Sequence, residues 1–239
     1  MLESEAYEAL RQIPDQPFVM HQSWRSLLFL HSAHDAEEIQ ALLPEGLTVD
    51  TFDDKAWIGL VPFRMEQIRL RYNPAMPGTS AFPETNVRTY VHRDGKEPGV
   101  WFFSLEAANS LACRIARRFF HLPYHEAAMT VAEQNDSVEY RSKRHSTGSV
   151  SNIDAELGEG LPLPEPGSLE FFLVERYLLY AKTPRGLKTG RVHHSPYRLR
   201  SARATMVRDE LVGAAGIARG AIVHQCFCEG VDVRIYPIR

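Results

Sequence analysis

ETNVRTYVH, residues 84–92, carries the clearest secondary-structure signal in the chain. Its polar face would consist of Glu84, Asn86, Arg88, Tyr90 and His92, and its other face is apolar at Val87 and Val91. A pattern that repeats every two residues is typical of a β-strand, in which successive side chains point to opposite faces. The stretch therefore predicts a strand with two chemically different faces.

The segments around this strand predict further strands joined by short turns. Ala56 to Phe63 is apolar, Asp94-Gly95 is a turn signal, and an aromatic run from Val100 to Leu105 follows it. We predict a hairpin from 124–132 and 137–145 around Asn135-Asp136. Other strands are expected at 24–31, 47–52, 149–156, 176–182, 189–194, 197–207 and 221–236. The predicted order of strands and helices contains no βαβ units. It therefore favours a mainly antiparallel α+β or barrel-like fold over a doubly wound one.

Short helices complete the predicted fold and are expected at 3–13, 35–43, 109–120 and 168–175. Asp35 and Ser168 can cap two of them, because their side-chain oxygens can accept hydrogen bonds from free backbone N–H groups. In the helix at 109–120, Leu111, Ile115 and Phe119 form one apolar stripe.

The chain is interpreted as one domain with a short extension. Residues 1–22 form an N-terminal extension with a short helix, and residues 23–239 form the domain. The proline-rich segment LPLPEPG (161–167) is not taken as a boundary, because the residues after it are few for a separate core.

Composition excludes several classes of function. The chain has 239 residues, 44% of them hydrophobic, and a net charge of -3, so nothing suggests a nucleic-acid partner. No run approaches the length of a membrane span, and MLESEAYEALRQIP (1–14) has no apolar signal core. Three cysteines do not resemble a secreted disulfide framework. We therefore expect a reduced, cytoplasmic protein with no membrane partner.

Metal and cofactor motifs are weak throughout the sequence. His121 and His125 are four apart, but Pro123 lies between them and would break the helix that such a pair needs. Cys226 and Cys228 could share a strand face, yet no second pair of ligands is evident. We predict neither a metal site nor a cofactor.

Six segments together resemble the YqjF-like family, bacterial proteins of unassigned function within the acetoacetate-decarboxylase-like superfamily. They are LLPEGLTVDTFDDKAWIGLVPF (42–63), PETNVRTYV (83–91), GVWFFSLEA (99–107), HLPYHEA (121–127), FLVERY (172–177) and GVDVRIYP (230–237). The resemblance implies a cone-shaped antiparallel β-barrel with an internal pocket and short peripheral helices. It also implies a possible homo-oligomer, since members with this fold can form large assemblies.

One departure from the superfamily pattern bears directly on activity. Acetoacetate decarboxylase has a Pro-Lys-Lys motif after a helix, whereas the matching place here is Pro123-Tyr124-His125. Decarboxylation through a Schiff base needs a primary amine, and neither tyrosine nor histidine can form an imine. The five lysines, Lys55, Lys96, Lys143, Lys182 and Lys188, are expected in turns, loops or a polar strand face. We therefore predict no acetoacetate decarboxylase activity.

The resemblance also suggests which residues line the pocket. Arg25 and Glu84 match the superfamily's pocket arginine and glutamate, and Tyr124 takes the place of the nucleophile. Arg88 is a further candidate, as a partner for Glu84 or for an anionic substrate. His125 is a candidate general base or ligand contact. The alternative is a solvated polar face of the strand at 84–92.

Arg141, in the basic tract EYRSKRHS (139–146), leaves two interpretations open. It could reach the pocket mouth and hold an anion, or it could lie on a solvated strand face. The second interpretation is favoured, because Glu139, Arg141 and Lys143 alternate with Val138 and Tyr140.

The expected function is a small-molecule pocket protein that binds a polar or anionic organic ligand. Arg25 would pair with a carboxylate, Glu84 would act as acid or base, and Tyr124 would donate to a carbonyl or enolate oxygen. Such a set would suit a lyase or isomerase that works without a Schiff base. The alternative is a non-catalytic sensing or scaffold domain that kept the barrel and lost the chemistry.

Overall fold

The computed structural model describes residues 9–74 and 81–239, and it consists mostly of β-strands. The strands are β1 (Met20–His34), β2 (Thr48–Val49), β3 (Ala56–Leu70), β4 (Phe82–Arg93), β5 (Lys96–Ala107), β6 (Tyr124–Gln134), β7 (Ser137–Arg144), β8 (Val150–Gly160), β9 (Leu178–Thr183), β10 (Gly186–His193), β11 (Leu199–Asp209) and β12 (Ile222–Ile235). The helices are α1 (Ala36–Gln40), α2 (Ser110–Ile115), α3 (Leu169–Val174) and α4 (Leu211–Ala214), and a π-helical turn (Ala116–Phe120) continues α2.

The helices are short, and two of the predicted caps are present. Asp35 accepts a hydrogen bond from the Glu37 N–H, and Ser168 accepts one from the Phe171 N–H. Of the helix predicted at 3–13, residues 9–11 are helical and residues 1–8 lie outside the described part. None of the helices in the described part of the chain is long and apolar enough to cross a membrane.

The predicted helix at 109–120 differs from the observed one in form and in burial. It divides into α2 and the π-helical turn, which ends at His121 in a left-handed conformation with φ 53°. The apolar stripe of Leu111, Ile115 and Phe119 is exposed, with Phe119 69% accessible. The buried residue of α2 is Cys113, so the helix meets the sheet through a narrow contact.

All twelve strands of the described part belong to one sheet, which closes on itself. The ring runs β5-β6-β7-β8-β11-β12-β1-β3-β4, and β4 pairs with β5 to close it. The β9–β10 pair joins β5 to β12. Pairing is antiparallel except at β5–β6 and β5–β9, so the predicted mainly antiparallel class is confirmed.

Two hydrophobic cores lie on the two faces of the central strands. On β1, Leu27 and Phe29 pack into the first core, while Leu28 and Leu30 pack into the second. Alternation along the strand produces this division. Because both faces of β1 are covered here, residues 27–30 form a continuous apolar run in the sequence.

The polar face of β4 is buried rather than solvated. Glu84, Asn86, Arg88 and Tyr90 are 2%, 5%, 9% and 0% exposed. The strand lies between β3 and β5, and Arg88 donates a hydrogen bond to the carbonyl of Leu173 in α3. The solvated-face alternative is therefore wrong for this strand.

Candidate functional site

Glu84 of β4 and Tyr124 of β6 form a hydrogen-bonded pair inside the fold. The Tyr124 hydroxyl donates to Glu84 Oε2 at 2.9 Å. The two strands lie on either side of β5, where Ala107 is paired with Glu84 and Leu105 with Tyr124. Ala107 presents only a methyl group, which leaves the space that Tyr124 needs to reach across β5.

Burial controls the protonation of this pair. Loss of water around Glu84 raises its pKa to about 8, and the nearby Glu106 acts in the same direction while the Tyr124 hydrogen bond opposes it. Burial and the charge of Glu84 hold the pKa of Tyr124 well above its usual value. Glu84 is therefore mostly a neutral acid at pH 7, and it can titrate slightly above neutrality.

Tyr124 is less buried as a residue than its partner Glu84. The residue as a whole is only half-buried, whereas Glu84 is almost fully enclosed. A proton can pass along the hydrogen bond between the carboxyl group and the phenol.

Cys113 is a third group beside the pair, and the sequence did not single it out. Its Sγ lies 3.8 Å from the carbonyl oxygens of Ala107 and His125. Burial and the charge of Glu84 raise the pKa of the Cys113 thiol to about 11. A buried, neutral thiol at a helix position resembles any small apolar residue in sequence, so no pattern could have identified it.

A second buried polar centre lies on the opposite face of β5. Both Nε and Nη2 of Arg144 donate to Glu106 Oε1, the first at 3.0 Å, and Ser104 donates to Oε2 at 3.3 Å. The side chains of Arg144 and Glu106 are 6% and 0% exposed. Burial raises the pKa of Glu106, although Arg144 works against that shift. Alternation places Glu106 and Ala107 on opposite faces, so this pair is separate from Glu84.

Arg25 does not join Glu84 and Tyr124. Its guanidinium bonds Asp232 at 2.7 Å and donates to the carbonyls of Trp24 and Val231. Trp24 instead faces the first core and contacts Phe63 edge-on at 5.8 Å. Since neighbours on a strand point to opposite faces, Arg25 points away from that core. Arg25 therefore makes no contact with the Glu84–Tyr124 pair. Its predicted role in ligand binding stays a prediction.

Arg88 and His125 have partners other than Glu84 and Tyr124. Arg88 donates to Tyr90 Oη at 3.3 Å and lies 5.5 Å from the Phe29 ring centroid. It lies four residues beyond Glu84 on the buried face of β4, and the two described side chains form no ion pair with each other. His125 is paired with Glu106 in the sheet, and burial together with Arg144 lowers its pKa.

Arg141 lies on the outer part of the sheet and is held by two acids. It forms ion pairs with Glu139, at 3.0 Å, and with Asp154. These contacts favour the solvated-face interpretation over the pocket mouth.

Two open pockets in the described part of the chain are lined by other residues than Glu84 and Tyr124. One, of about 430 Å³, lies between α1 and β2 and includes Gln40 and Val49. The other, of about 360 Å³, includes Tyr177 and His194. Glu84 itself is buried, and Tyr124 is half-buried.

Metal ligands are not grouped in the described ranges 9–74 and 81–239. Within them, no three His, Cys, Asp or Glu residues could hold a metal ion together. Cys113, Cys226 and Cys228 are buried and not bonded to one another.

The family model DUF2071, described as an uncharacterized conserved protein, matches residues 21–232. The chain belongs to this family. It is also 38% identical to the uncharacterized protein YqjF of Bacillus subtilis (strain 168) over 231 residues, which covers 95% of this chain and 94% of that protein. The resemblance inferred from the six segments is thereby confirmed.

Solved structures share the fold at low sequence identity. The enduracididine biosynthesis enzyme MppR, complexed with the condensation product of pyruvate and imidazole 4-carboxaldehyde, matches with a TM-score of 0.69 and 12% identity, covering 94% of this chain and 89% of that one. An acetoacetate decarboxylase-like enzyme from Sphingomonas wittichii RW1 matches with a TM-score of 0.64 and 14% identity, covering 93% and 92%. The fold is therefore acetoacetate-decarboxylase-like.

Proposed function

We propose that the closed ring of strands is a cone-shaped barrel that binds a polar or anionic organic ligand and catalyses proton transfer without a Schiff base. The observation that carries this proposal is the Tyr124–Glu84 hydrogen bond of 2.9 Å around a carboxyl group whose pKa is raised to about 8. A pKa near the working pH is suited to general acid–base catalysis. MppR, which shares the fold, is complexed with a product made from pyruvate, so a 2-oxo acid is a suitable first ligand to test.

Enolisation is the reaction class that these two groups fit. Ionised Glu84 would remove a proton from the carbon next to a carbonyl group, and the electron pair would move to the carbonyl oxygen. Tyr124 would turn its hydrogen bond from Glu84 to that oxygen and stabilise the enolate. Return of a proton from Glu84 to carbon would restore the ketone.

Exchange of hydrogen for deuterium tests this reaction. In D₂O, the wild-type chain should exchange the methyl protons of pyruvate faster than buffer does, and the rate should rise with pH up to about 8, since the carboxylate is the base. Glu84→Gln should abolish the enzymatic exchange, and Tyr124→Phe should slow it by roughly 10²-fold. Proton NMR of the methyl signal measures both effects.

A matched control separates catalysis from folding in this experiment. Glu229, whose side chain is 73% exposed and paired with Arg200, can be changed to glutamine without touching the pair. Glu229→Gln should exchange at the wild-type rate. Wild-type exchange no faster than buffer, with pyruvate and with 2-oxobutyrate, would overturn the proposal.

Acetoacetate decarboxylase activity should be absent. Tyr124 offers no primary amine, and four of the five lysines, Lys55, Lys96, Lys143 and Lys182, are exposed while Lys188 is half-buried. We expect no CO₂ release from acetoacetate and no stoichiometric mass increase after borohydride treatment in its presence. A single reduced adduct on one lysine, coupled to CO₂ release, would contradict this prediction.

A non-catalytic sensing or scaffold role is the second candidate. It is favoured by the packing around Glu84 and Tyr124, which line neither of the two defined cavities. In that case pyruvate exchange would stay at the buffer rate, while Glu84→Gln would still change stability.

A further inference from the structure

Four basic side chains form a row across four neighbouring strands. Arg69 of β3 is paired with His21 of β1, His21 with Arg234 of β12, and Arg234 with His193 of β10. Directly paired residues point to the same face of a sheet. With about 4.8 Å between strands, the row extends over roughly 14 Å. We name these four residues the basic row.

Among residues 9–74 and 81–239, no acid forms an ion pair with a member of the basic row. Asp232 lies two residues from Arg234 and therefore on the same face, but Arg25 bonds it at 2.7 Å and Ser23 donates to it at 2.7 Å. The guanidinium of Arg234 instead lies 5.6 Å from the Phe18 ring centroid, and Arg71 lies 5.1 Å from the same ring. Like charges side by side on a sheet are destabilising unless something compensates them.

The protonation of the two histidines reflects this excess of positive charge. Burial and then Arg69 lower the pKa of His21, although Asp232 acts in the opposite direction. Burial, Arg234 and Arg191 lower the pKa of His193. An anion placed on the row would relieve the same repulsion.

The row ends at the cavity of about 360 Å³. His193 belongs to both, and the cavity lining comprises Arg11, Gln12, Tyr177, His193, His194, Ser195 and Pro196. Arg191 is fixed nearby, since its Nη2 donates to the carbonyls of Ala9, Leu10 and Gln12 at 2.9–3.2 Å. A pocket of this volume can accommodate a small molecule.

We propose that the basic row and the adjoining cavity bind a soluble small molecule that carries consecutive phosphate groups. Arg69 and Arg234 lie on either side of His21, and consecutive anionic groups can bridge two cations so spaced. Arginine can bind a phosphate through two N–H groups, and a histidine can donate a further hydrogen bond. The row leads into a cavity, which favours a small molecule over a membrane surface or a nucleic acid. The net charge of -3 also argues against a nucleic acid.

Binding of inorganic tripolyphosphate, measured by isothermal titration calorimetry, tests the proposal. We expect saturable binding that weakens with added salt. The double variant Arg69→Gln/Arg234→Gln should lose at least about tenfold in affinity, because two charge-assisted contacts are removed. His193→Gln, at the junction with the cavity, should also bind more weakly.

A control variant removes the same charge elsewhere. Arg203→Gln/Arg208→Gln changes two arginines of β11 whose side chains are 68% and 69% exposed, and it should bind like the wild type. A cooperative thermal unfolding transition confirms that each variant is folded. If the double variant does not fold, Arg69→Gln alone is tested in its place.

Three results would overturn the proposal: no saturable binding of tripolyphosphate, an equal loss in both double variants, or binding only to vesicles of anionic lipid. Pyruvate exchange does not depend on the basic row, so failure here and failure of the proposed catalysis are distinguishable.

Discussion

Replacement of Glu84 by glutamine should make the protein's stability less dependent on pH, with the largest effect in alkaline solution. The folded chain holds the Glu84 proton up to a pKa of about 8, whereas the ordinary value of 4.5 applies once burial is lost. Between these values the folded state binds more protons than the unfolded state, so the free energy of unfolding falls as pH rises. Relative to wild type, Glu84→Gln should gain about 4 kcal/mol between pH 5 and pH 9.

Urea unfolding at several pH values measures this difference, and two variants sharpen it. Glu229→Gln, on an exposed side chain, should follow the wild-type curve. Tyr124→Phe removes the hydrogen bond that lowers the Glu84 pKa, so the loss of stability should begin at the same pH but continue to a higher pH than in the wild type. Parallel curves for wild type and Glu84→Gln would show that Glu84 ionises normally in the folded state, which would remove the basis of the proposed catalysis.

Removal of Arg144 should be the most destabilising single change among the ion pairs considered. Arg144→Met leaves the carboxyl group of Glu106 buried without its cation, and such a loss costs about 3–5 kcal/mol. Protonation of Glu106 would relieve part of this cost, so the defect should be smaller at low pH. Chemical denaturation at pH 5 and pH 8 measures both quantities.

The matched comparison for this prediction is an exposed pair. Arg203 and Glu156 are 68% and 58% exposed, and Arg203→Met should cost less than about 1 kcal/mol. The double variant Arg144→Met/Glu106→Leu should be more stable than Arg144→Met alone, because no buried charge is left unpaired. A double variant as unstable as the single one would show that packing, not the charge, accounts for the effect.

The two buried polar centres differ in what their charges can do. Glu106 is paired with the cation of Arg144, which favours its carboxylate form and opposes the uptake of a proton during a reaction. Glu84 has a phenol as its hydrogen-bond partner, and its pKa lies near neutrality. Of the two centres, only the second is arranged for proton transfer at neutral pH.

Local pattern was sufficient for most of the secondary structure. The alternation at 84–92 predicted β4, and the turn signal at Asn135-Asp136 predicted the hairpin of β6 and β7. Capping residues placed the starts of α1 and α3, since a side-chain oxygen that satisfies a free N–H is a local property. The limits of long strands were less accurate: β3 continues past Phe63 to Leu70 because β1 pairs with its whole length.

The sequence by itself determined the class of the fold, the polar face of β4 and the absence of a lysine at Tyr124, because side-chain period and residue identity are local. Closure of the sheet decided which side chains became partners and which became buried. It brought Tyr124 within hydrogen-bond distance of Glu84, 40 residues earlier, and it buried Arg144 against Glu106. It also turned Arg25 toward Asp232. Strand neighbours and exclusion of water depend on how the whole sheet closes, and they set both the partners and the pKa values of these groups.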